Sequence, residues 1–193
     1  MITGAVSFLL WDEWFTRMHV WSFNPQYITG VYLGHLPLEE WMFFFFIPYA
    51  CMFIYENLRV YFGRHIAKIP LFFFKTTAAL LVATFVTLAI VYRDHIYTFI
   101  TFTGCAVMLS FFLAVFRMRY FPLFFCMWLV HLIPLFVVNG VLTGLPVVTY
   151  NDAENMGIRI GTVPLEDSFY SMLLLLINVS VYEFLGERAR RRV

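Results

Sequence analysis

Apolar residues fall along this chain in runs close to twenty residues long, separated by short polar clusters rich in Pro, Gly and charge. The runs cover residues 1–15, 40–62, 71–92, 96–116, 121–145 and 165–185. A helix needs about 20 apolar residues to cross the hydrocarbon core of a bilayer, and all but the first run have that length. The first is marginal, because Asp12 and Glu13 follow within about one and a half turns of Phe8. The pattern predicts an all-α polytopic transmembrane bundle of about six spans, forming a single membrane domain over residues 1–193.

Composition agrees. The chain is 62% hydrophobic and 13% charged, where a soluble domain is about half apolar and a quarter charged. Aromatic residues make up 21%, with 24 Phe, which suits a surface that meets acyl chains and headgroups. No basic start or small-residue cleavage site marks a signal peptide, so the first run is expected to stay in the mature protein. Cys51, Cys105 and Cys126 are widely spaced among apolar neighbours and read as packing residues.

The distribution of Lys and Arg predicts orientation. One side carries Arg59, Arg64, Lys68, Arg117, Arg119, Arg188, Arg190, Arg191 and Arg192, and the other only Arg17, Arg93 and Arg159. The first side is expected to be cytoplasmic, with both termini, in a bacterial or archaeal membrane. The long loops 16–36 and 146–163 then face outward.

These loops belong to a repeat. A constant offset pairs Thr16 with Thr143, Asn24 with Asn151, Gly30 with Gly157 and Gly34 with Gly161. Pro37-Leu38-Glu39-Glu40 falls on Pro164-Leu165-Glu166-Asp167, and Tyr55-Glu56 on Tyr182-Glu183. The coincidences are polar, Gly and Pro residues, which chance alignment of Leu and Phe runs would not produce. Residues 1–62 form the first repeat, 63–120 the linking helices and the start of the second, and 121–193 the second with its basic tail. Four spans separate corresponding points, so the repeats are parallel.

Each Pro-Leu-Glu-acid motif marks the entry of a membrane helix. Pro37 and Pro164 suit a first helical position, which has no intrahelical use for an amide, and the acids occupy the first turn. As caps they would complement the helix dipole. As four acids on one membrane face, Glu39, Glu40, Glu166 and Asp167 would face the bundle interior, where like charges in a poorly solvated pocket cannot all ionise. One becomes a proton donor and another a proton acceptor or cation stabiliser. Glu39 and Glu166, which share one slot of the two copies, are favoured for proton handling, with Glu40 and Asp167 assisting.

Glu56 and Glu183 lie roughly 24 Å further along the same helices and are expected to pair with Arg59 and Arg188. Asn24 and Asn151 read first as turn formers among aromatics. Together with Tyr27, Trp41 and Phe169 they are also the substrate-pocket candidates. His131 and Lys75 lack ligand-spaced partners, so His131 reads as hydrogen-bonded structure. No G-x-G-x-x-G after a strand, phosphate loop or H-E-x-x-H is present. No cofactor, metal or nucleic-acid partner is therefore expected. An acid, a base and an aromatic cavity suit acid-initiated rearrangement of an apolar lipid through a carbocation.

The strings Phe23-Asn24-Pro25, Tyr27 to Gly30, Pro37-Leu38-Glu39-Glu40, Ile47-Pro48-Tyr49-Ala50-Cys51 and Val163-Pro164-Leu165-Glu166-Asp167 resemble the integral-membrane lycopene cyclase family across nearly the whole chain. The resemblance implies a cofactor-independent isomerisation of the linear ends of lycopene, or a related carotenoid, to β-ionone rings, giving γ- and β-carotene. It implies that the paired motifs are catalytic, that a full protein has seven spans, and that membrane lipid and a homo-oligomer are compatible partners. Relatives also make other rings or use C50 substrates. A small-solute transporter and a non-catalytic carotenoid-binding membrane protein stay open at this point.

Overall fold

The computed structural model describes residues 2–191, with side chains from residue 4 onward. Met1, at the start of the first predicted run, and Arg192 and Val193, in the basic tail, lie outside the described residues. The chain forms α1 (Ile2–Arg17), β1 (Trp21–Phe23), a hairpin of β2 (Tyr32–Leu33) and β3 (Leu36–Pro37), and α2 (Leu38–Asn57). A π-helical turn, Leu58–Phe62, carries α2 into the short α3 (Gly63–Ile66). Then come α4 (Leu71–Val91), α5 (Ile96–Phe116), α6 (Phe121–Gly144), β4 (Val148–Tyr150), the β5 (Arg159–Ile160) and β6 (Val163–Pro164) hairpin, and α7 (Leu165–Arg190).

Five helical stretches are long and apolar enough to cross a membrane: Leu38–Ile66, α4, α5, α6 and α7. The sixth predicted span, α1, has 16 residues, roughly 24 Å of helix against a core of about 30 Å. The long loops 16–36 and 146–163 contain short strands. These strands pair because backbone groups at the membrane boundary must find partners. Exposed Phe53, Phe72 and Ile133 lie on outer helix faces, where acyl chains take the place of water.

The centre of the bundle is α7. Over its most apolar stretch 56% of residues are buried, against 22% for α4. It packs closely against α5, where a Cβ added at Gly104 would lie 2.7 Å from a methyl carbon of Leu173. Small residues at such crossings let helices approach within dispersion range. Gly104→Val is expected to cost about 1–3 kcal/mol by overpacking, measured as a lower Tm in detergent than that of the unaltered protein.

The order helix, strand, hairpin, helix occurs at both ends of the chain. Gly34 and Gly161 turn the two hairpins with φ of 73° and 64°, a region open to glycine without steric cost. The amide of Leu38 donates to the Val31 carbonyl at 2.8 Å, and that of Leu165 to the Ile158 carbonyl at 2.9 Å. Antiparallel β1 and β4 pair Trp21 with Tyr150, Ser22 with Thr149 and Phe23 with Val148. Ser22 and Thr149, 127 residues apart, share a hydroxyl hydrogen bond of 2.8 Å. At that offset Trp21 corresponds to Val148 and Phe23 to Tyr150, so corresponding residues exchange partners as they do across a two-fold axis.

At the opposite end of the bundle the exchange recurs: Tyr55 donates its hydroxyl to Glu183 at 2.8 Å, and Tyr182 interacts with the Glu56 carboxylate. Arg59 bridges Glu56, at 3.1 Å, and Glu183. The second cation near Glu183 is Arg190, at 3.8 Å. The expected Arg188 instead lies over the Phe184 ring, because its position on the helix turns it away from the α2 face.

Candidate active site

Two consecutive acids open α2 and two open α7. Pro37 and Pro164 hold the position just before each helix, one residue earlier than expected, in extended backbone with φ of −66° and −56°. Proline is restricted to this φ, so each motif joins a hairpin to a helix at a set angle. Successive helical residues point about 100° apart. The two acids of each motif therefore serve different neighbours.

Glu39 and Glu166 turn back onto their own loops. Glu39 Oε1 accepts the Thr29 amide at 2.8 Å. Glu166 Oε1 accepts the Met156 amide at 2.7 Å and the Thr98 hydroxyl at 2.6 Å. Each thus ties the helix start to the amide ten residues before it, closing its loop.

Glu40 and Asp167 face the other way, into a cavity of about 90 Å³ between α1, α2, α5, α6 and α7. Its polar wall includes Asp12, Glu40, Asp167, Asn139, Tyr97, Tyr150, Tyr170 and, towards mid-membrane, His131. Its apolar wall includes Phe43, Ile47, Leu135 and Leu174. Trp21 stacks edge-on to Tyr97, Tyr150 and Tyr170 at 5.3 to 6.1 Å between centroids, and Tyr97 lies parallel to Tyr150. Their π faces supply negative potential to a cation.

The acids in this wall have unlike surroundings. Asp167 accepts from Tyr97 at 2.7 Å, Tyr150 at 2.8 Å and Asn139 at 3.1 Å. Tyr150 is held protonated by its burial and by the adjacent Asp167. Among the described residues nothing donates to the Glu40 carboxyl. Asp12, 3% exposed, lies beside the Trp21 indole N–H, interacts electrostatically with Glu40 and leaves Oδ2 buried without a partner.

The family model described as lycopene cyclase matches residues 1–58 and 94–185. The chain belongs to the lycopene cyclase family. Membership gives it a role in carotenoid biosynthesis, as an integral membrane protein. Searches of curated proteins and of solved structures returned no match. Every residue lining the cavity falls within the matched segments.

The other sequence-predicted pocket residues lie away from the cavity of this lycopene cyclase family member. Asn24 and Asn151 accept the Gln26 and Ala153 amides at 3.0 and 3.1 Å, the turn geometry expected of Asn. Tyr27 is half exposed at the surface. Trp41 donates its indole N–H to the Leu33 carbonyl at 3.2 Å and braces the hairpin. Phe169 packs among Phe85, Phe102 and Trp128 in the core. The Nδ1 of His131 meets the Cys51 sulfur at 3.2 Å, while its Nε2 is buried without a partner.

Sequence reasoning missed Asp12, Asn139, Tyr97, Tyr150 and Tyr170. A signal existed for some of them. The offset that aligns the motifs also places Asp12 on Asn139, and a polar pair facing one another across a repeat is rare in apolar helices. Tyr97 had none, because at the same offset its position pairs with no residue of the sequence.

Proposed function

We propose that the protein converts the linear ends of lycopene to β rings by proton transfer from the cavity carboxyls, with no net redox change. The observation that carries this reading is Glu40 and Asp167 opening into one cavity walled by Trp21, Tyr97, Tyr150 and Tyr170. A carboxylic acid adds H⁺ at C2, the C5=C6 electron pair closes the C1–C6 bond, and loss of the C6 proton restores C5=C6. The charge passes from C1 to C5 beneath aromatic faces. None of the three steps calls on an electron carrier.

The cavity is smaller than the roughly 150 Å³ that admits a benzene ring. An end group therefore enters only as lining apolar side chains such as Phe43 and Leu135 rotate aside. Both termini are taken to face the cytoplasm, which the crowding of Arg and Lys at that end of the bundle supports. The two ends of the chain are taken as parallel repeats, supported by the exchanged pairings about Ser22 and Thr149.

Expression of this chain in a bacterium that accumulates lycopene is expected to yield β-carotene and its one-ring precursor, identified by chromatography. Unchanged lycopene, with the protein present in the membrane, would overturn the reading.

A further inference from the structure

The two cavity acids that correspond across the offset, Glu40 and Asp167, have been given opposite partners. Around Asp167 stand Tyr97, Tyr150 and Asn139, all donating. An ionised carboxylate, which accepts and never donates, satisfies all three donors and leaves no proton of its own without an acceptor. The positions around Glu40 that correspond to Asn139 and Tyr150 are Asp12, a second acid, and Phe23, which has nothing to donate. The Asp12 oxygen buried without a partner lies in the same cavity wall. Two charged carboxylates, with the Trp21 indole N–H beside Asp12 and no donor to Glu40 among the described residues, would repel one another in an apolar space, and a single proton held between them removes that repulsion.

We infer that Asp12 is a third acid of the reaction site, sharing with Glu40 the proton that is delivered to substrate, while Asp167 takes the proton released by the closed ring. The inference rests on the cyclisation reading above. Glu40 transfers H⁺ to C2, and the C1=C2 electron pair becomes the new C–H bond. After ring closure Asp167 removes H⁺ from C6, and that C–H electron pair becomes C5=C6. The proton gained by Asp167 equals the one lost by the Asp12–Glu40 pair, so its return across the cavity resets the site. Three donors make Asp167 a weak base, but a C–H next to a cationic carbon is acidic enough to need no stronger one.

A donor fault and an acceptor fault leave different marks. Without the shared proton, turnover falls and the ring formed is the same. With the acceptor loosened, the cation persists and loses a proton from a neighbouring carbon, C4 or the C5 methyl, which moves the ring double bond.

The test measures cyclised product per amount of protein in lycopene-containing membranes, together with ring type, for the unaltered protein and four variants. Asp12→Asn is expected to lower turnover about 100-fold, the range of a lost general acid, with ring type unchanged, and Asp12→Glu to keep most of it. Tyr150→Phe, which removes one of the three hydrogen bonds that fix the Asp167 carboxylate in place, is expected to lower turnover several-fold while adding rings with a displaced double bond. The double variant Asp12→Asn with Asn139→Asp keeps the same groups in the cavity, guards against a folding failure of the single change, and is expected to stay inactive.

Full turnover by Asp12→Asn, or recovery in the double variant, would overturn the role of Asp12. A Tyr150→Phe protein that loses turnover without changing ring type would overturn that of Asp167. If the unaltered protein forms no ring at all, the cyclisation reading fails and this inference with it, an outcome distinct from the others.

Discussion

Glu40→Gln is expected to reduce cyclised product at least about 100-fold with normal amounts of protein in the membrane, whereas Glu39→Gln is expected to stay within a few-fold of full activity. The contrast follows from one step of helix rotation. Glu40 opens into the cavity and accepts no hydrogen bond among the described residues, so its carboxyl is free to give up a proton to carbon. Glutamine has no such proton. Glu39 instead accepts the Thr29 amide, a task the glutamine carbonyl performs equally well. Glu166→Gln should resemble Glu39→Gln, since the amide oxygen can still accept from Met156 and Thr98. Product analysis in a lycopene-accumulating host checks all three. Equal loss from Glu39→Gln and Glu40→Gln would mean that the loop-facing acids also handle the proton, as their shared slot in the two motifs suggests.

The second large effect is at the other end of the bundle. Arg59→Met should destabilise the protein by about 3–5 kcal/mol, because it removes the cation that spans Glu56 and Glu183 and leaves Glu183, only 1% exposed, without its principal counter-charge. Tyr55 still donates to Glu183 at 2.8 Å, but one neutral donor does not replace a guanidinium. Arg59 also lies 4.8 Å from the centroid of the Tyr55 ring and 5.8 Å from that of Tyr182, so it joins α2 to α7 through packing as well as charge. Thermal unfolding in detergent should show a Tm lower by roughly 10 °C. Adding Glu183→Gln to Arg59→Met should restore part of the loss, since the uncompensated charge is then gone. If the double variant is no more stable than the single one, the cost arises from lost packing and not from the stranded carboxylate.

The two readings differ in how much of each was visible beforehand. The helices were legible because about twenty apolar residues in a row have few other fates in a membrane protein. The paired motifs were legible because Pro, Gly and acids are scarce in such runs. The strands that cap the bundle were not, because two- or three-residue ribbons carry no period to detect, and β1 finds its partner only in β4, far along the chain. Asn24, Tyr27, Trp41, Asn151 and Phe169 have the right character for a pocket but the wrong direction, which depends on helix rotation and loop closure.

By itself, then, the sequence determined the solvent, the helix count to within the short α1, the constant offset between the two ends, and the short list of acids at the starts of α2 and α7. Tertiary structure alone decided which acid of each pair meets the cavity. It also brought in Asp12 from α1 and Tyr97 from α5, and placed three donors on Asp167 but, among the described residues, none on Glu40. The physical reason is that composition and spacing report what a residue can do along one helix. The partners that set an acid's role come from other helices, through packing directions that a linear pattern does not contain.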